Sequence, residues 1–235
     1  MRILALETSG LGGSVALFDD ETGTLRVEYL KPGQRSAQAL APAIRGVLSV
    51  VGRHPHDIEG VAVTAGPGSF TGLRIGVTTA KTLAYALNAS LIGVNSLDVL
   101  ACAVPASAAR LWAVLDAHRG QLFAASYRTD VDGRWQREDA KSECSLPTVE
   151  QWLAQLGPGD VVTGPIIARL VNRLPEGIVT VPDSTAPDEL RQPQAEHVAR
   201  LASRLFAGGR RDDVWNLVPY YGRLSAAEEK QRDAS

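Results

Sequence analysis

Cysteine is scarce in this 235-residue chain: Cys102 and Cys144 are the whole complement, with no metal-type spacing, which fits a reducing compartment and excludes a disulfide framework. Histidine is nearly as rare. His54 and His56 flank Pro55 in a polar loop that cannot present both rings from one helical face, so no metal site is expected. There is also no excess charge of either sign: 24 basic residues face 26 acidic ones, for a net charge of −2. Without a global basic field, a nucleic-acid role would have to be local or carried by a partner. No apolar run approaches the ~20 residues of a membrane span. The opening run Ile3–Leu6, closed by Glu7, is too short for a signal-peptide core. The expectation is a cytoplasmic protein that does not enter a membrane. With 45% hydrophobic and 21% charged residues, the chain can build one large or two small globular cores.

The most informative stretch is Gly66-Pro67-Gly68-Ser69-Phe70-Thr71-Gly72-Leu73-Arg74-Ile75-Gly76. It follows a β-like run, Gly60–Thr64, and leads into an alanine-rich helical pattern. Glycine tolerates φ > 0 and close backbone approach, so a sharp strand-to-helix turn is expected there. Ser69 or Thr71 can cap the helix, leaving N–H groups suited to an anion. The Gly-Lys-Ser/Thr ending of a Walker A loop is absent, and Arg74 stands inside the helix instead. Beyond the turn, Gly72, Gly76, Ala80 and Ala84 recur every four residues and form one smooth stripe. A mid-helix glycine costs roughly 0.5–1 kcal/mol relative to alanine, so the stripe calls for a close neighbour. That neighbour is either another helix of this chain or a helix of a partner protein.

Organisation along the chain points to two related α/β lobes. Arg2–Leu6, Ser14–Phe18 and Leu25–Leu30 read as an antiparallel meander whose first strand ends in Glu7-Thr8-Ser9. Leu40, Ala43, Ile44, Val47, Leu48 and Val51 then share one helical face, with Pro42 near its start and Gly52 as its stop. The same order returns as Leu111–Leu115 ending in Asp116, Gln121–Tyr127, and a third strand near Arg134–Gln136. Asp160–Thr163 later enters a Gly164-Pro165 turn, as Val61–Thr64 entered its own. This is a weak internal duplication. The expected division is a first lobe over 1–104, a second over 105–209, and a C-terminal segment over 210–235 that returns to the first lobe and frays at its end. Ser184–Pro193 reads as a loop and Glu196–Phe206 as an amphipathic helix.

A duplicated meander with an acidic residue closing each first strand resembles the actin/Hsp70/sugar-kinase superfamily. Within it, Gly66–Gly76 looks like the signature of the TsaB (YeaZ) family of tRNA threonylcarbamoyladenosine biosynthesis proteins. Ile3–Ser9, Ile92–Leu97, Leu115–Gly120 and the late element Pro219-Tyr220-Tyr221-Gly222-Arg223 are similar to other pieces of that family. The resemblance implies two RNase H-like lobes, each a mixed sheet with flanking helices. It also implies a non-catalytic subunit that pairs with the paralogue TsaD, works with the ATPase TsaE, and meets tRNA only through the complex. TsaD proteins carry a His-x-x-x-His metal pair on an early helix; here the corresponding stretch reads Gln34-Arg35-Ser36-Ala37-Gln38. Glu7 stands where many relatives have Asp.

On this reading no residue is catalytic, none binds metal, and no cofactor is required. Weak ATP or ADP binding would fall to Glu7, Ser9, Gly68 and Asp116, two carboxylates and a glycine turn such as hold a Mg-nucleotide in kinase relatives. The partner face is assigned to Leu40, Ile44 and Val47 on the first helix and to Thr71, Gly72, Ile75, Gly76, Thr79, Ala80, Leu83 and Ala84 on the second. The same face would serve a homodimer of the free protein. An enzyme remains the alternative: a small-substrate kinase or ATPase of the superfamily, or a glycoprotease-like hydrolase. Ser69 with His118 is a poor nucleophile pair for the latter, because Ser69 lacks the Gly-x-Ser-x-Gly elbow.

Overall fold

The computed structural model describes residues 1–30, 36–106, 110–139, 142–181 and 191–222, and of Ser36 only the backbone. Arg223 and the final segment Ala226–Ser235 lie outside these residues, as do Gln34, Arg35 and most of the loop at Ser184–Pro193.

The chain begins as β1 (Arg2–Glu7), β2 (Ser14–Asp19) and β3 (Thr24–Tyr29), an antiparallel meander in which Leu4 pairs with Leu17 and Ala16 with Val27. α1 (Ser36–Val50), β4 (Gly60–Gly66), α2 (Phe70–Leu87) and β5 (Ser90–Asn95) follow, with β4 parallel to both β1 and β5. After α3 (Ser96–Cys102) come β6 (Leu111–Asp116), β7 (Leu122–Thr129), β8 (Trp135–Arg137), α4 (Val149–Leu153), β9 (Val161–Thr163), α5 (Ile167–Leu170), β10 (Val179–Thr180) and α6 (Ala195–Ala207). The first sheet runs β3-β2-β1-β4-β5 and the second, read from its meander edge, β8-β7-β6-β9-β10. The two orders superimpose strand for strand, which is the duplication expected from the repeated meander.

β1 is buried on both faces, so it is apolar without alternation. Leu4 and Leu6 face α1 and α2, where Leu40, Ile44, Val47, Ala80 and Ala84 close one core. Ile3 and Ala5 point the other way, into a second core with Val198, Ala199, Ala202 and Phe206 of α6. The period-2 geometry of a strand divides the two sets. α3 joins the lobes: Val99 enters the α6 core, while Leu97 and Leu100 pack on β6 and β7 of the second sheet. The far side of that sheet is closed by Trp152 of α4 and Ile167 and Leu170 of α5.

One boundary needs correction. α6 falls inside the 105–209 range expected for the second lobe, yet it packs on the first sheet. Its apolar face (Val198, Ala199, Ala202, Phe206) could have covered any sheet, and its position in sequence says nothing about which. From Gly209 to Leu217 the chain lies along the first lobe: the Asp212 N–H donates to the Leu91 carbonyl at 2.8 Å and its carboxylate accepts from the Gly93 N–H at 2.7 Å. The Lys81 ammonium donates to the Trp215 and Leu217 carbonyls at 3.1 and 3.0 Å.

Candidate functional site

The ends of β1 and β4 and the start of α2 converge on Glu7. This carboxylate is completely buried. Oε1 accepts from the Ser9 N–H at 2.5 Å, the Ser9 hydroxyl at 2.7 Å and the Gly10 N–H at 3.3 Å, while Oε2 accepts from the Thr64 hydroxyl. Burial raises its pKa to about 6, because desolvation outweighs those donors. The group ties one strand end to the next turn and to the neighbouring strand, and both its oxygens are occupied by the chain itself.

The glycine-proline turn is packed against the same corner. Gly66 has φ = +127°, a conformation that disfavours any side chain, and a Cβ there would strike the Tyr220 carbonyl. A Cβ on Gly68 would lie 2.7 Å from the Ser9 carbonyl oxygen, and that oxygen accepts from the Ser69 N–H at 2.8 Å. The Ser69 hydroxyl caps α2, accepting from the Gly72 N–H at 3.3 Å. The structure thus unites Glu7, Ser9 and Gly68. Asp116 occupies the matching place in the second lobe, where its Oδ1 accepts from the His118 N–H at 2.7 Å and its Oδ2 lies 3.5 Å from the Arg169 guanidinium. No hydrogen bond links Asp116 to the Glu7 group among the described residues. Among those residues there is also no cluster of three or more His, Cys, Asp and Glu side chains able to hold a metal ion.

The small-residue stripe has a different neighbour from the helix anticipated. A Cβ on Gly72 would collide with the Thr8 carbonyl oxygen, and one on Gly76 with the Thr8 hydroxyl. That hydroxyl donates to the Gly72 carbonyl at 2.8 Å. Gly72 and Gly76 are small because the end of β1 crosses the first turns of α2. Ala80 and Ala84 continue into the α1 core. The assignment of Leu40, Ile44, Val47, Gly72, Gly76, Ala80 and Ala84 to a partner face is therefore corrected: all seven are buried inside the first lobe. Apolar and small residues at helical spacing mark a covered face, and the cover is the chain's own sheet. Of the residues assigned to that face, Thr71 is exposed and Ile75, Thr79 and Leu83 are half-buried at the edge of the core.

Sequence reasoning missed the strap that holds the turn down. The Tyr220 N–H donates to the Ala65 carbonyl at 2.7 Å. The Tyr221 ring stacks on Phe70 at 4.2 Å, and the Arg74 guanidinium lies 4.0 Å over Phe70 while its Nε donates to the Tyr221 hydroxyl at 2.9 Å. The expected return of residues 210–235 to the first lobe was the available signal, and nothing in it pairs Tyr220 and Tyr221 with a motif some 150 positions earlier.

Two copies of one five-stranded unit, each closing its first strand on a carboxylate and leaving its fourth through a glycine-proline turn, define the duplicated α/β fold of the actin-like superfamily. Comparison with known proteins narrows this. The family model described as "TsaD: tRNA N6-adenosine threonylcarbamoyltransferase" matches residues 32–182. The tRNA threonylcarbamoyladenosine biosynthesis protein TsaB of Escherichia coli is 31% identical over 98% of both chains. Its Bacillus subtilis namesake is also 31% identical, over 98% of this chain and 97% of the relative. The solved structure of YeaZ from Pseudomonas aeruginosa superposes with a TM-score of 0.77 at 26% identity, covering 94% of this chain and 99% of that one. Another, with a TM-score of 0.78 and 28% identity over 94% of this chain and 99% of the other, is described as similar to peptidase YEAZ from the same organism. The chain belongs to the TsaB (YeaZ) family, within the wider group that the TsaD model describes.

Proposed function

We propose that this protein serves formation of N6-threonylcarbamoyladenosine at position 37 of tRNA as a non-catalytic subunit, holding a TsaD-like paralogue in its working shape with a TsaE-like ATPase as the third component. The observation that carries this reading is the saturation of Glu7. A carboxylate that is to hold a magnesium-bound nucleotide or act as a base must offer a lone pair to solvent or ligand. Here Ser9, Gly10 and Thr64 take both oxygens. The neighbouring turn is likewise filled, by Ser9 below and Tyr220 above. The motif works as an internal fastening, and the chain's contribution to the reaction passes through its surface.

The surface in question is the outer side of α1 and α2, where Ala41, Pro42, Thr71, Thr78 and Thr82 are exposed. Arg45 and Arg74 stand among them, and the small side chains between leave room for a partner's helices to approach. Reconstitution with the paralogue, the ATPase and tRNA tests both halves of the reading. Mass spectrometry of tRNA nucleosides should show near wild-type modification with Glu7→Gln. Ala41→Arg and Thr78→Arg, which leave the core untouched, should abolish co-purification and modification together. Loss of modification by Glu7→Gln in a complex that still assembles would place chemistry on this chain and end the scaffold reading. The isolated chain should hydrolyse ATP negligibly.

A further inference from the structure

On the opposite side from α1 and α2, a cleft of about 380 Å³ opens between α3, α6 and the β8 edge, within the roughly 300–1,000 Å³ of small-molecule sites. Its walls carry three guanidinium groups, Arg134, Arg137 and Arg204, against one carboxylate, Asp98. Asp98 is spent: its Oδ1 accepts from the Tyr127 hydroxyl at 2.8 Å and from Arg137 at 2.6 and 3.1 Å. Arg137 is the partner that Asp98 neutralises. Among the described residues Arg134 has only Asp132 as an ion-pair partner, 3.8 Å away with both side chains more than half exposed, a pairing worth little in water. Arg204 forms no ion pair among the described residues, and Arg200, one turn earlier on α6, contacts only the Phe18 ring, at 5.9 Å. Burial pushes the Cys102 thiol up; the charges of Arg204 and Arg200 oppose that rise, and those of Asp98 and Glu196 add to it.

Arg134 and Arg204, both exposed, line the same open cleft and leave it with an excess of positive charge. A phosphate monoester, with ≈ −1.5 to −2 charge at pH 7, balances both, whereas a carboxylate balances one. Arginine's fork also binds phosphate oxygens in pairs. The remaining walls, Ala101, Val104, Trp135 and Leu201, are apolar or aromatic. The Trp135 ring is held in place by its Nε1–H, which donates to the Val104 carbonyl at 2.8 Å. We infer that this cleft binds a small phosphomonoester with a ring-containing body, its phosphate between Arg134 and Arg204 and its ring against Trp135. Nothing in this depends on the α1/α2 surface or on Glu7.

Calorimetry on the full chain at constant ionic strength tests it, with a nucleoside 5′-monophosphate, the unphosphorylated nucleoside and inorganic phosphate as probes. The monophosphate should bind with Kd below about 1 mM. Inorganic phosphate should bind at least tenfold more weakly, and the nucleoside should give no heat. Arg204→Gln and Arg134→Gln, both surface substitutions that leave the fold intact, should each weaken the monophosphate about 10–100-fold. Arg26→Gln on β3 should change nothing. Absence of heat with the monophosphate, or binding that survives both arginine substitutions, would overturn the site. Equal affinity for inorganic phosphate would overturn the ring-bearing ligand.

Discussion

The two lobes share strand order and the same pair of punctuation marks, yet they spend them differently. Gly66 and Gly164 sit at equivalent turns with φ of +127° and +126°, and a Cβ on either would strike a carbonyl. In the second lobe that carbonyl belongs to Val114 of the adjacent strand, so the turn is closed locally; in the first it belongs to Tyr220, so the turn is closed by the chain's far end. After the turn, α2 runs for 18 residues while α5 stops after 4. Glu7 is sealed by four donors, whereas Asp116 is about one-third exposed and paired loosely with Arg169 and His118. A duplicated unit has thus kept its backbone geometry in both copies while only one copy turned its carboxylate into a buried fastening. What distinguishes them is cover: Ser9, Thr64 and the strap surround the first, and solvent reaches the second.

The sharpest way to break this comparison is at the close approaches. Gly72→Leu and Gly76→Leu drive a side chain into Thr8 and should destabilise the fold by about 3 kcal/mol or more, read by urea denaturation. If soluble, fully stable protein results, α2 is not seated on β1 as described. Gly66→Ala and Gly164→Ala should each cost about 1–3 kcal/mol, and similar values would show that the two turns carry equal backbone constraint.

Removing the carboxylates should separate the lobes. Glu7→Ala leaves several buried donors unpaired and should cost about 2–4 kcal/mol, while Asp116→Ala should stay within about 0.5 kcal/mol. Glu7→Gln is a finer probe, since its carbonyl can accept from Ser9 and Gly10 and its amide can donate to the Thr64 hydroxyl. It should remain within about 1 kcal/mol of wild type at neutral pH.

The pH dependence follows from the raised pKa of Glu7. Its folded value is about 6 against the ordinary carboxyl value of 4.5, so the native state holds the proton more tightly than the unfolded chain. The stabilisation is complete below about pH 4.5 and disappears as pH rises through about 6. Across that window Glu7 should remove about 2 kcal/mol of stability, and the Glu7→Gln protein should lack this component. A wild-type-minus-variant curve that is flat from pH 4 to 7 would mean that the donors, not burial, set the ionisation.

The strap should carry a smaller effect than the close approaches and the buried carboxylate. Arg74→Ala and Tyr221→Ala should each lower stability by about 0.5–1.5 kcal/mol, and a double-mutant cycle should return a coupling of similar size. Additive losses would show that Arg74 and Tyr221 do not act as one stack with Phe70.

Periodicity and punctuation were enough to read the meanders, both long helices of the first lobe and the repeat of the unit, because alternation, helical spacing and glycine-proline turns are local consequences of backbone geometry. The motif's sharp turn, its Ser69 cap and the demand of Gly72 and Gly76 for a close neighbour were local in the same sense. The identity of that neighbour was not local. A stripe of small residues states that something approaches, and only the packed chain shows that Thr8, just past β1, does so, which moves Leu40, Ile44, Val47 and the stripe from an outer face to the core. Placement of α6 on the first sheet, the bond from the Thr64 hydroxyl to Glu7, and seating of Tyr220 on Gly66 are long-range pairings of the same kind. An apolar face or an unpaired donor is satisfied equally well by many partners, and the choice among them is made by the geometry of the whole fold.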